Sequence, residues 1–247
     1  MREPRFTVII PTLQRSERLG ALIDTCTRSP LVLEILVINN VQEPLTNYSS
    51  KLRIIQQDEN IYVNPAWNLG ARQARGDLLA IVNDDVSFDE EALEHAARVL
   101  DRGWFSVVGP DRSTFATASS RTIAHRLARH DATTWYFGTF MCLRTVDYVA
   151  IPEEMRIWGG DDWIIQSQNR PPAVLIRTRF ETDMSTSSGS PEFRALRAEE
   201  QATADRILSP IFGTRWWHSP LVRVTHARIR MHRLSAWIRR YILRRAG

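Results

Sequence analysis

The chain has 247 residues, 43% hydrophobic and 24% charged. These are ordinary proportions for a soluble globular protein, on a chain long enough to bury most of its apolar surface, which excludes disorder over most of its length. Two distant cysteines, Cys26 and Cys142, exclude a disulfide framework and a cysteine-built zinc site. No window approaches the roughly 18 uncharged apolar residues of a membrane-spanning helix.

The net charge of +4 is unevenly placed. Residues 221–247 carry eight Arg and no acid, so residues 1–220 carry −4. The start, MREPRFTVIIPT, enters a strand-like run without a long apolar leader, so no secretory signal is expected. The two thiols suit a reducing compartment. A cytoplasmic location is expected.

In chain order, FTVIIPT (6–12) is a short apolar run closed by Pro-Thr and predicts a buried strand. RSERLGALIDTCTR has helical spacing through Leu19, Leu22 and Ile23. LVLEILVINN (31–40) is a second buried strand and KLRIIQQDE a third. NPAWNLGARQARG reads as a helix with Asn64 as cap and Pro65 at the first helical position, where its missing N–H costs nothing. DLLAIVNDDV (77–86) is a fourth strand ending in acids. DEEALEHAARVLDRG is an amphipathic helix with acids in its first turn, as the helix dipole favours, and WFSVVGP is a fifth strand. Residues 111–134 are polar and predict a loop, with Arg112, Arg121, His125 and Arg126 as unassigned candidates for substrate contact. WYFGTFMCLRTVDYVAI resumes strand and helix, and Ser190-Pro191-Glu192 signals a further helix start.

This alternation predicts an α/β fold with a mostly parallel sheet. In such sheets ligands sit beyond the carboxyl ends of the strands. Three polar tips fall at such ends: Pro11-Thr12, Asn39-Asn40 and Asn83-Asp84-Asp85. Carboxylates after a buried strand are costly unless solvated or bound to a cation, and oxygen ligands of this kind suit Mg²⁺ or Mn²⁺. An acidic turn is the plain alternative.

IWGGDDWII (157–165) places Asp161 and Asp162 side by side after two glycines. Adjacent carboxylates repel, and an apolar surround further disfavours charge, so one of them can be driven toward the pKa of a general base. Gly159 and Gly160 admit a substrate close to the backbone, and Trp158 offers an aromatic face to sugar C–H groups. The alternative is an acidic helix cap by either Asp.

Taken in order, FTVIIPT, EILVINN, NPAWNLGARQARGDLLAIVNDDV and WGGDDWI resemble the family 2-like glycosyltransferases of the GT-A fold, over roughly residues 5 to 217. The resemblance implies a GT-A domain over 1–220 with a mostly parallel central sheet flanked by helices; beyond it, the pattern of the tail itself predicts a basic amphipathic C-terminal helix over 221–247. The resemblance also implies a donor site of Pro11, Thr12, Asn39, Asn40, Asn68, Gly70, Asn83 and Asp84. Within it, Thr12 would sit by the nucleoside, Asn39 would stand where the family often has a base-reading Asp, and Asn68 and Gly70 would support the nucleotide. The metal would be held by Asp85 and Asp84, with Asn83 replacing the first acid of a DxD motif. Family members often add a His after the base; here Asp183 stands near that place, and His218 is a second candidate.

WGGDD is similar to the WGGED segment of inverting galactosyltransferase-like enzymes. That makes Asp162 the general base, with Asp161, Trp158, Gly160 and Gly138 around the acceptor. The implied activity is metal-dependent, inverting transfer of a sugar from a uridine or thymidine diphosphate donor to a hydroxyl of a glycan or glycolipid, in cell-envelope glycan synthesis. Three alternatives stay open: a retaining transferase, a degenerate GT-A module that only binds glycan or nucleotide, and a transferase acting on modified DNA. In the tail, Ile229, Met231, Leu234, Trp237, Ile238, Tyr241 and Ile242 alternate with Arg. That pattern suits an anionic membrane interface, with nucleic acid or packing on the core as alternatives.

Overall fold

A computed structural model describes residues 5–46, 49–115, 122–129, 136–183, 191–225, 227 and 231, with the backbone but not the side chains of 191–198. The strands are β1 (Phe6–Thr12), β2 (Val32–Asn39), β3 (Leu52–Gln56), β4 (Leu78–Val82), β5 (Ser87–Phe88), β6 (Val107–Pro110), β7 (Ala124–Leu127), β8 (Phe140–Arg144), β9 (Ala173–Ile176) and β10 (Phe180–Glu181). The helices are α1 (Leu19–Arg28), α2 (Val63–Gln73), α3 (Glu91–Asp101), α4 (Gly160–Gln166) and α5 (Pro191–Leu208). Among the described residues, eight strands form one sheet in the order β3-β2-β1-β4-β8-β6-β9-β7, and β5 pairs with β10 beside it. β1 to β4 run parallel, whereas β8 is antiparallel to both β4 and β6.

Both faces of the sheet are buried, and the period of two decides which side chain meets which layer. Phe6, Val8 and Ile10 of β1 and Leu78, Ala80 and Val82 of β4 join Leu22 and Ile23 of α1 and Leu93 and Leu100 of α3 in one core. Ile9, Leu79 and Ile81 point the other way and pack with Trp67 of α2, Ile164 and Ile165 of α4, and Ala204 and Leu208 of α5. Each fully buried Leu or Ile contributes roughly 1.5–3 kcal/mol, so the strand centres are the most strongly held part of the molecule. At Gly70 a Cβ would lie 2.5 Å from Ile9 Cγ2, which is why α2 needs glycine where it crosses β1.

Three expectations change. α2 begins at Val63 with Tyr62 before it at φ 66°, so Asn64 lies inside the first turn and makes no cap hydrogen bond. The expected loop contains β7, hydrogen-bonded to β9. There His125 Nδ1 meets His95 Nε2 at 2.9 Å, and Arg126 is ion-paired with Asp111. Finally, helical backbone runs across position 220, and Leu221 and Thr225 are buried. The packed body therefore extends beyond the expected boundary, and most of the basic tail lies outside the described residues.

Candidate active site

β1 stands between β2 and β4, so the strand order reverses there, and a crevice opens beyond the strand ends at such a point. Thr12 closes β1, and its hydroxyl donates to Asp84 Oδ2 at 2.6 Å while accepting from the Gln14 N–H at 2.8 Å. Thr12 thus fixes the Asp84 carboxylate. Burial raises the Asp84 pKa above the usual carboxylate range against that hydrogen bond, and the charge of Asp85 adds to the rise. Asp85 Oδ2 accepts from the Thr182 hydroxyl at 2.8 Å. Each carboxylate keeps an oxygen outside these contacts.

At the end of β2 the two asparagines differ. Asn39 is fully buried, and its amide donates to Glu43 O and Gln56 Oε1, both at 2.8 Å, while its Oδ1 accepts from Gln14 Nε2 at 3.1 Å. These bonds tie it to the loop after β2 and to β3. Asn40 donates its N–H to Thr12 O at 2.9 Å, and its buried Oδ1 has no hydrogen-bond partner.

Asn68 is likewise structural. Its Oδ1 accepts from the Tyr148 hydroxyl and Ile151 N–H, and its Nδ2 donates to Ile151 O. Both lone pairs are occupied, so Asn68 fastens the 148–151 segment to α2. Gly70 serves the α2–β1 contact. Asp183, the expected third metal ligand, is bound by Arg18 through Nε at 3.0 Å and Nη2 at 3.5 Å. That guanidinium competes directly with a cation. His218 is buried with its ring 4.9 Å from that of Phe212. Among the described residues, no three His, Cys, Asp or Glu side chains cluster to hold a metal by themselves.

The acidic pair of WGGDD lies in the first turn of α4. Gly159 precedes it at φ 73°, a left-handed backbone that glycine adopts without strain. The cap position is thus a glycine, and both acids stand in the first turn, where the helix dipole favours them. Asp161 accepts from its own N–H and from those of Asp162 and Gly138, and these bonds oppose the rise in pKa that burial causes. Burial pushes the Asp162 carboxyl up to about 8, and the charge of Asp161 adds to it. Burial thus raises both carboxyls of the pair, and backbone N–H groups oppose the rise at Asp161 alone.

The segment before β8 joins the two acidic pairs. Thr139 O accepts from Asn83 N–H at 3.0 Å, and the neighbouring Gly138 donates to Asp161. A Cβ on Gly138 would lie 3.3 Å from Asp161 Oδ2. The Gly138-Thr139 segment therefore touches Asn83 on one side and the Asp161 carboxylate on the other. Gly160 closes the far side, where a Cβ would lie 2.1 Å from Asn64 Oδ1. Trp158 stands beside it, packed against the second core.

Residues 7–153 match the family described as Glycosyl transferase family 2. The chain belongs to glycosyl transferase family 2. An uncharacterized glycosyltransferase of Haemophilus influenzae is 24% identical over 102 residues, covering 39% of this chain and 35% of that protein. The chain thus matches about a third of the length of that relative. Family 2 membership agrees with the fold. S. aureus TarS 1–349 superposes with a TM-score of 0.55 at 16% identity, covering 88% of this chain and 77% of that one. Its complex with UDP gives 0.56 at 18%, covering 84% and 70%. GalNAc-T7, with UDP, GalNAc and Mn²⁺, gives 0.54 at 10%, covering 73% and 44%. The likeness is one of fold, and it is the GT-A fold.

Two parts of this family 2 site were not expected from the sequence. Asn64, taken there as a helix cap, donates instead to Met155 O at 2.9 Å and Trp158 O at 3.4 Å. Glu200 grips the backbone of 156–157 from α5. Both partners are remote in sequence, so no local pattern signals them.

Proposed function

We propose that this chain is a metal-dependent inverting glycosyltransferase. It moves a sugar from a uridine or thymidine diphosphate donor to a hydroxyl of a glycan or glycolipid. The observation that supports this most is the junction at Gly138-Thr139, which ties the Asp84-Asp85 turn to the Asp161-Asp162 turn. A donor diphosphate at the first and an acceptor hydroxyl at the second would meet in one crevice.

The roles follow from the electrostatics. Asp162 takes the proton of the acceptor hydroxyl as that oxygen bonds to the anomeric carbon from one face. The bond from that carbon to the diphosphate oxygen breaks on the opposite face, and the nucleoside diphosphate leaves with the electron pair. Asp161, held by three N–H groups, stays in place to orient a neighbouring acceptor hydroxyl. Proton transfer of this kind contributes about 10²- to 10⁴-fold in rate.

Asp84 and Asp85 fit a divalent cation such as Mn²⁺ or Mg²⁺. Adjacent half-buried carboxylates repel, each has oxygen capacity to spare, and such ions complete their shell with water and substrate phosphate. A cation there would neutralise charge on the departing diphosphate. Thr12 and Thr182 hold the two carboxylates in place for it.

A second reading, a module that binds nucleotide or glycan without turnover, draws support from Asn83 in place of an acid and from the engagement of Asp183 by Arg18. Thermal melting against UDP, dTDP, GDP, CDP and ADP, with and without Mn²⁺, tests the donor site. A ligand at about 100 times its Kd adds about 2.7 kcal/mol. A rise with UDP or dTDP that needs metal and is lost in Asp85→Ala is expected. No rise with any nucleotide would remove the transferase reading. A rise without release of UDP or dTDP from any of their sugars, with or without acceptor, would favour the binding module.

A further inference from the structure

The segment Met155–Gly159 feeds α4 and has no regular structure of its own, so its path decides where Asp161 and Asp162 stand. It is held on two sides. From α2, Asn64 donates its N–H to Arg156 O at 3.0 Å and its amide to Met155 O, and the Arg156 guanidinium lies 5.1 Å over the Tyr62 ring. From α5, Glu200 reaches in with a side chain only 2% exposed. Its Oε2 accepts the consecutive N–H groups of Arg156 at 3.1 Å and Ile157 at 3.0 Å, and its Oε1 accepts Arg156 Nε at 2.8 Å. Next to it, a Cβ on Gly159 would lie 3.1 Å from Ala204 Cβ and from Leu208 Cδ1.

A buried carboxylate is a poor choice for stability alone. Removing a carboxylate charge from water costs several kcal/mol, and apolar replacements of buried ions are often neutral or better. What the carboxylate adds is direction. Two lone pairs aimed at successive N–H groups fix the local backbone, which an apolar side chain would leave free to shift. The residues that follow in the chain are Trp158, Gly159, Gly160 and the acidic pair. We propose that Glu200 is a positioning residue for Asp162. By clamping the 156–157 backbone it sets the start of α4, and with it the surroundings of the base. This rests on the transferase reading of Asp162.

Glu200→Gln is nearly isosteric, yet one of its two head atoms is a donor. With its oxygen facing the two N–H groups, its NH₂ faces Arg156 Nε–H, so a contact is lost in either orientation. The test is a ¹³C carboxyl NMR titration of Asp162, assigned with Asp162→Asn, in wild type and in Glu200→Gln, together with melting temperatures. A fall of at least one unit in the Asp162 midpoint in the folded variant is expected, because a shifted α4 lets water reach the carboxyl. An unchanged midpoint with a lower melting temperature would show a tether that acts on the fold alone, and would overturn the proposal. If Glu200→Gln does not fold, Glu200→Asp carries the same test, the charge being kept on a shorter stem. Release of UDP from UDP-GlcNAc with Mn²⁺ by wild type and Asp162→Asn separates the two ideas. Equal release by both would sink Asp162 as base, whereas the titration alone decides whether Glu200 positions it.

Discussion

At the scale of single residues, the proposed chemistry turns on the Asp161-Asp162 pair. Burial raises both carboxyls; N–H groups oppose it at Asp161, and the charge of Asp161 adds to it at Asp162. Asp162→Asn keeps the shape and removes the base. Turnover should fall by about 10²- to 10⁴-fold, with the nucleotide-induced rise in melting temperature retained. In wild type, turnover should climb with pH as Asp162 loses its proton, and level off above about 8. Stability runs the other way. The folded protein keeps the Asp162 proton up to that value, whereas the unfolded chain releases it near about 3.9. Between the two the native state binds more protons, so stability falls as pH rises. Melting curves from pH 4 to 8 should show the advantage of Asp162→Asn over wild type growing with pH. A constant difference would contradict the raised pKa. The residue types at this site were legible in the sequence, because two acids after two glycines have few structural uses. The likeness to WGGED also suggests which acid takes which role, but the surroundings of each were not legible, because they include the Gly138 backbone, remote in sequence from either Asp.

At the scale of elements, three close approaches decide how strands and helices meet. At Gly160 any Cβ would collide with the Asn64 amide at 2.1 Å, and Asn64 sits in the first turn of α2, where its neighbours leave it no room to retreat. Gly160→Ala should therefore push α4 away from α2. A loss of about 1–3 kcal/mol, typical of overpacking, should appear in denaturant melts, together with a loss of turnover. Gly138→Ala, 3.3 Å from Asp161 Oδ2, asks only a few tenths of an ångström from one carboxylate. It should leave the melt nearly unchanged and lower turnover, since the group that yields belongs to the acceptor side. The strands and most helices could be read from the sequence because both faces of the sheet are buried and the apolar runs are continuous. β7 could not, because AHRL is half-exposed and polar at the sheet edge, where its pairing with β9, rather than its own pattern, makes it a strand. Asn39 and Asn68 show the same limit. Their place beside the strand ends or on α2 was plain, but whether an amide is spent inside the protein depends on partners such as Gln14 and Tyr148 that no spacing rule links to them.

At the scale of the whole molecule, charge separates a body from its end. Residues 1–220 carry −4 while 221–247 carry eight Arg and no acid. Among the described residues no helix is long and apolar enough to cross a membrane. Each basic residue near an anionic surface is worth about 1 kcal/mol, and the attraction fades within a Debye length. The packed body reaches Thr225, which is buried, so a chain ending there should keep its melting temperature and its nucleotide response. Full-length protein should sediment with phosphatidylglycerol vesicles at low salt, release as salt rises, and ignore phosphatidylcholine. The shortened chain should sediment with neither. Retention on DNA that matches or exceeds retention on the vesicles would instead mark the tail as a phosphate-tracking arm. A lower melting temperature on truncation, with no vesicle binding by either form, would mean that the tail's apolar side is spent on the body. The placement of the acceptor hydroxyl would then have to be sought in the crevice beside Trp158 and Asp161 alone.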